Sequence, residues 1–213
     1  MAAFALGLIG DRTARPALTL ALKDDEPMVQ GRAAEALGNI GERTDAGAVA
    51  EMVQVHVRAG ALAGLSPDDL GYPLAPAVEA ARIGLYALVR LGSYDAIAAT
   101  VLDAAGMPIS NWWPVAFALQ RPADPRAVPA LIALLATPGR YTAAFAARGL
   151  GVIKAEAGSV PLRQMVEERR AHPAAVIEAI RALAAIGDTA AAPVLRKVFL
   201  ETTADNTLRL EAL

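Results

Sequence analysis

Acid–base and metal chemistry need histidine, cysteine or paired carboxylates brought together, and this chain offers few candidates. Its two histidines, His56 and His172, lie far apart with no acidic residue beside either. There is no cysteine, so neither a disulfide framework nor a thiolate metal site can form. A zinc site needs at least three ligands at workable spacing, and HExxH is absent. The Gly-rich stretch VRAGALAGLSPDDLGYPLAP, residues 57–76, lacks the GxxxxGK[ST] pattern of a phosphate cradle, and neither GxGxxG after a strand nor GxSxG occurs. The adjacent carboxylates Asp68-Asp69 and Glu167-Glu168 point to different sides of a helix or turn and are expected to be solvated. These residues predict no catalytic centre, no metal site and no cofactor.

Recognition chemistry is better represented. Aromatic and arginine side chains bury large area and make directional contacts at modest entropic cost. Only 5% of the chain is aromatic, so where those few rings fall is informative. Locating them requires the elements that carry them.

The chain has 213 residues and is 55% hydrophobic, ample for a buried core, with most of that content Ala, Leu, Val and Ile. These are the residues of closely packed helices, and an all-α class follows. The net charge is −2, from 20 basic and 22 acidic side chains, which gives no bulk attraction to nucleic acid or to anionic membranes. No apolar run reaches the roughly 18 residues of a membrane span, and no secretory leader is read. A soluble protein is expected, with the cytoplasm favoured but no compartment assigned.

AAFALGLIGD, residues 2–11, returns as AAEALGNIGE at 33–42 and in further copies to the end. Its closing position recurs at Gly10, Gly41, Gly92, Ala123, Lys154 and Gly187, with intervals of 31, 51, 31, 31 and 33 residues. Four places before each stands Leu6, Leu37, Leu88, Leu119, Leu150 or Leu183; five before stands Ala5, Ala36, Ala87, Ala118, Gly149 or Ala182. Apolar residues at spacings of three and four mark one helix face, and a small residue beside them lets a neighbouring helix approach. We call this helix B. A short turn follows, often acidic (Asp11, Glu42, Asp188), then a second apolar helix, A, with Pro16, Pro129, Pro161 and Pro193 in its first turn, where proline sacrifices no hydrogen bond.

Over essentially the whole chain this pattern resembles the short HEAT-like repeats of the phycobilisome-lyase type, AAxALGxIGD followed by xxAVPALxxxL, most closely at ADPRAVPALIAL (123–134) and GDTAAAPVLRKV (187–198). The resemblance implies a right-handed α-solenoid of about six stacked helix pairs forming one domain, 1–213, with B helices lining the concave surface. Iron-dependent hydroxylases built on HEAT repeats use His-Glu pairs at repeated positions, and this sequence has none. The HEAT-like DNA glycosylases place Trp, Arg and Asp in a basic groove; Trp112 and Trp113 fit that pattern, whereas the net charge and the absence of a basic run do not. The chain enters repeat sequence at Ala2 and stops within a B helix, so the expectation is a segment of a longer protein, with Met1 added for expression and uncapped ends that could self-associate. The 20-residue insert at 57–76 is read as a loop broken by Gly and Pro, with a short turn at SPDDL starting from Ser66, serving as a tolerated loop or as a flap.

Opposite the small and Leu positions of helix B lies a stripe that changes from repeat to repeat. Six places before the anchor it reads Phe4, Glu35, Tyr86, Phe117, Arg148 and Arg181, and two before, Leu8, Asn39, Arg90, Arg121, Val152 and Ala185. The next turn adds Arg32, Arg82, Trp113, Phe145 and Glu178, then Glu79 and Tyr141. Tyr86, Arg90, Trp113, Phe117, Arg121, Tyr141, Phe145 and Arg148 are therefore predicted to form a partner-binding surface for a protein or peptide, with the arginines as a row suited to an acidic or phosphorylated partner. Trp112, one place off the stripe, is expected to pack between helices. Two other functions are carried: a regulatory or substrate-presenting HEAT segment of a larger enzyme, since NWWPVAFALQRPADPRAVPAL and YTAAFAARGLG resemble segments joined to cyclophilin-type prolyl isomerases, and nucleic-acid binding through the arginine row.

Overall fold

In a computed structural model the described residues are 2–69, 71, 73–201 and 206–213. Met1 and residues 70 and 72 of the insert lie outside them. All regular structure among the described residues is helical, and the helices pair and stack as the α-solenoid pattern predicts. The chain divides into two compact units, Met1–Leu65 with Leu70–Ala105, and Ser66–Asp69 with Gly106–Leu213.

Unit 1 contains α1 (Ala2–Ile9), α2 (Arg15–Ala21), α3 (Pro27–Ile40), α4 (Ala46–Arg58), α5 (Pro76–Leu91) and α6 (Tyr94–Val101). The B helices α1, α3 and α5 pack side by side, and α2, α4 and α6 form a second layer against them. Unit 2 repeats the scheme. Its B helices are α7 (Trp113–Gln120), α9 (Thr142–Ile153), α11 (Pro173–Ile186) and α13 (Asn206–Glu211), backed by α8 (Val128–Leu135), α10 (Ser159–Glu168) and α12 (Ala192–Leu200). The repeated leucines Leu37, Leu88, Leu119, Leu150 and Leu183 are buried between the layers. In α1 the same positions are less covered: Leu6 is half-buried and Ala5 exposed.

The anchor positions end the B helices. Gly10, Gly92 and Gly187 adopt left-handed backbone, and so do Ala123 (φ 53°) and Lys154 (φ 57°). Gly41 is the exception: its φ is −75°, and a Cβ there would fall 2.3 Å from the Leu37 carbonyl oxygen, so glycine is required by space. The acidic residues after the anchors cap short 3-10 turns that lead into helix A. Asp11, Asp124 and Asp188 accept from the backbone N–H of Thr13, Arg126 and Ala190 at 2.9, 2.9 and 3.1 Å.

Neighbouring B helices touch backbone to backbone. Cβ atoms added at Gly7, Gly38 and Gly151 would meet the Cα of Ala36, Ala87 and Ala182 at 2.7, 2.9 and 2.8 Å. Between α7 and α9 the roles are exchanged: Gln120 stands on α7, and Gly149 on α9 leaves room for it. The small position predicted from the repeat is thus where helix axes come closest.

Candidate partner-binding face

The B helices of unit 2 bring rings together. Trp113 opens α7 and Phe117 lies one turn on; Tyr141 precedes α9 and Phe145 lies one turn into it. Centroids are 6.1 Å apart for Trp113–Tyr141, 6.0 Å for Trp113–Phe145 and 5.5 Å for the edge-on Phe117–Phe145 pair. All four are half-buried. Trp112 meets Trp113 edge-on at 6.5 Å and is itself fully buried, as expected of a ring packed between helices. Five of the chain's aromatic residues, which number two Trp, four Tyr and four Phe, therefore form one contiguous cluster.

Arginines lie over these rings. Arg121 is exposed, with its guanidinium 5.9 Å from the Phe117 centroid, and Arg140 stands 5.3 Å from Tyr141. Arg148 lies 5.7 Å from Phe145 but is committed elsewhere. Its Nε and terminal nitrogen donate to the two Glu178 oxygens at 3.0 and 2.8 Å. Glu178 is only 7% exposed. Burial by itself would raise the Glu178 pKa, but hydrogen bonds and charge from Arg148 and Arg181 outweigh it and hold the pKa below the usual carboxylate value. Arg181 in turn donates to both oxygens of Glu211. Of the three expected arginines, Arg148 stands in a ladder of alternating sign, Arg148–Glu178–Arg181–Glu211, along α9, α11 and α13, and Arg121 stands outside it. Beside the ladder, a depression of about 160 Å³ is lined by Gly151, Val152, Ala182 and Ala185.

In unit 1, half-buried Tyr86 lies beneath Arg82, 5.4 Å away, and Arg82 makes a two-bond pair with Glu79 at 2.8 and 2.7 Å. Burial raises the Tyr86 pKa, against the lowering effect of Arg82. Arg90 donates to the side-chain oxygen of Asn39.

The insert departs from expectation. Residues Ser66–Asp69 belong to unit 2, and Asp68 is no free surface carboxylate. It accepts from the backbone N–H of Tyr141 at 2.9 Å and from that of Arg140, at the start of α9. The Pro67 carbonyl accepts from the Trp113 N–H at 2.9 Å, and the Asp69 carbonyl from both indole N–H groups, Trp112 at 3.0 Å and Trp113 at 3.3 Å. Gly139 makes room: its φ is +108°, and a Cβ there would sit 2.5 Å from an Asp68 oxygen. Trp112 and Tyr141 hold the helix-start positions with no capping side-chain hydrogen bond of their own.

Both histidines have structural roles. His56 is buried, with Nε2 2.6 Å from the Gln30 side-chain oxygen, and burial lowers its pKa. His172 Nδ1 accepts from the Ala174 N–H at 3.1 Å and caps α11. Among the described residues no group of three His, Asp or Glu could hold a metal ion, and no helix is long and apolar enough to cross a membrane.

Stacked helix pairs with a shared register define a repeat protein of the α-solenoid class. The family model for HEAT repeats matches residues 1–70 and 128–213, and the chain belongs to that family. No curated protein matches by sequence. Among solved structures, human deoxyhypusine hydroxylase in complex with glycerol is similar at 22% identity and a TM-score of 0.44, over 99% of this chain and 75% of that one. The complex of CpcE and CpcF of phycocyanin lyase from Nostoc sp. PCC7120 is similar at 23% identity and a TM-score of 0.47, over 99% and 78%.

Proposed function

We propose that this chain is a non-catalytic binding module that takes a protein or peptide partner on the B-helix face of unit 2. The observation that supports it is the connected, half-buried cluster of Trp113, Phe117, Tyr141 and Phe145 in a core that is otherwise largely aliphatic. Rings already packed against one another lose little freedom when a partner arrives, so more of the contact energy appears as affinity. Arg121, held over Phe117 and exposed, is the cation to meet a partner carboxylate or phosphate. Arg148 instead stabilises the face through Glu178. Tyr86 and Arg90 offer the same residue types in unit 1 and extend the set of candidate contacts.

The test is affinity capture from source-cell lysate with this chain beside a folded Phe117→Ala/Arg121→Ala/Phe145→Ala variant. A protein retained by the parent and lost by the variant is expected, followed by direct titration of that protein. Identical capture by both, or none by either, overturns the reading.

A further inference from the structure

The N-termini of α7 and α9 each need partners for N–H groups that no preceding turn can satisfy. The residues in those positions, Trp112 and Tyr141, supply no capping side chain. The partners come from the insert: the Pro67 carbonyl for α7 and the Asp68 carboxylate for α9, the latter also suited to the positive end of the helix dipole. The hydroxyl of Thr142, fully buried, donates to the Asn111 carbonyl at 2.8 Å, with the Pro67 carbonyl farther off at 3.4 Å. Both helix starts are thus held from outside their own turns, and rings stand at the two positions where Ser, Thr, Asp or Asn are common.

We infer that the Ser66–Asp69 segment is the positioning element of the aromatic face, with Asp68 holding Tyr141 and the first turn of α9 while the Pro67 and Asp69 carbonyls hold Trp113. This deepens the binding reading above and rests on it for its functional meaning. The geometry, however, is tested without any partner. Trp113 is tied through both its backbone N–H and its indole N–H, which fixes the ring as well as the helix start. Loss of the segment would leave Phe117 and Phe145 on their helices but release Trp113 and Tyr141, the other half of the cluster.

The experiment is residue-resolved amide hydrogen exchange on the full chain and on Asp68→Ala, with acrylamide quenching of indole emission. Exchange at Arg140, Tyr141 and the first turn of α9 is expected to rise about tenfold, with α11 unchanged and quenching increased. Asp68→Asn, which keeps an acceptor oxygen without the charge, is expected to fall between. Protection equal to the parent's, or a loss spread evenly through α9 and α11, overturns the inference. If Asp68→Ala fails to fold, Asp68→Asn is read by the same criterion. A localised loss in a protein whose capture is unaffected by the triple variant would sink the binding reading and leave the positioning role standing; the converse result would do the opposite.

Discussion

Lys154 and Ala123 hold left-handed backbone at positions where sister repeats use glycine. A Cβ in that region costs about 1 kcal/mol, so Lys154→Gly should raise stability by about 0.5 kcal/mol once the greater freedom of the unfolded glycine is subtracted. An unchanged or lowered urea midpoint would contradict this. His56 makes a pH prediction. Its folded pKa lies below the ordinary 6.5 because burial disfavours the cation, so the unfolded chain binds more protons in the interval beneath 6.5. The stability that neutral His56 contributes is complete above its ordinary pKa and is lost as pH falls through the folded pKa. Urea midpoints at pH 7.5 and 5.5 should differ in the parent and converge in His56→Asn.

Elements in this molecule are joined by repeating side-chain pairs. Arg148 to Glu178 and Arg181 to Glu211 span the same 30 residues, so one spacing writes both bonds. Arg148→Ala removes two hydrogen bonds from a buried carboxylate that still has Arg181; with Arg148 itself about half exposed, a loss of about 1 kcal/mol is expected in chemical denaturation. Glu178 has a folded pKa below its ordinary 4.5, so the stability it contributes is present above that value and lost as pH falls through the folded pKa. Gly151→Val tests the close helix approach: its Cβ would overlap the Ala182 backbone, and a penalty of about 2 kcal/mol or more is expected in the transition followed by Trp112 and Trp113, both in unit 2. Much of this layer was legible from sequence. Leucine and small positions recur on one register, and five of the six anchors turned out to be left-handed helix ends. The Asp68 caps were not legible, because residue 68 lies in the one stretch without a repeat copy to supply a register, and its partners stand 72 and 73 positions away.

For the whole molecule, charge argues for a protein partner over a nucleic acid. A net charge of −2, with Arg148 and Arg181 neutralised by carboxylates, leaves little to release counterions from a phosphate backbone. No association with labelled duplex or single strand is expected even at about 50 mM salt; binding that falls steeply with added salt would contradict this. That Trp113, Phe117, Tyr141 and Phe145 share a face was legible from the stripe, whereas the pairing of Arg148 was not, since it depends on the carboxylate one repeat further on.

Repeat proteins invite cutting and splicing at unit boundaries, since each pair of helices is taken to need only its neighbours. Here the caps of α7 and α9 are encoded upstream of α5, so a splice that respects every helix pair from Gly106 onward would still leave two helix starts bare. Any recombination of this array must carry Ser66–Asp69 with the repeats they close.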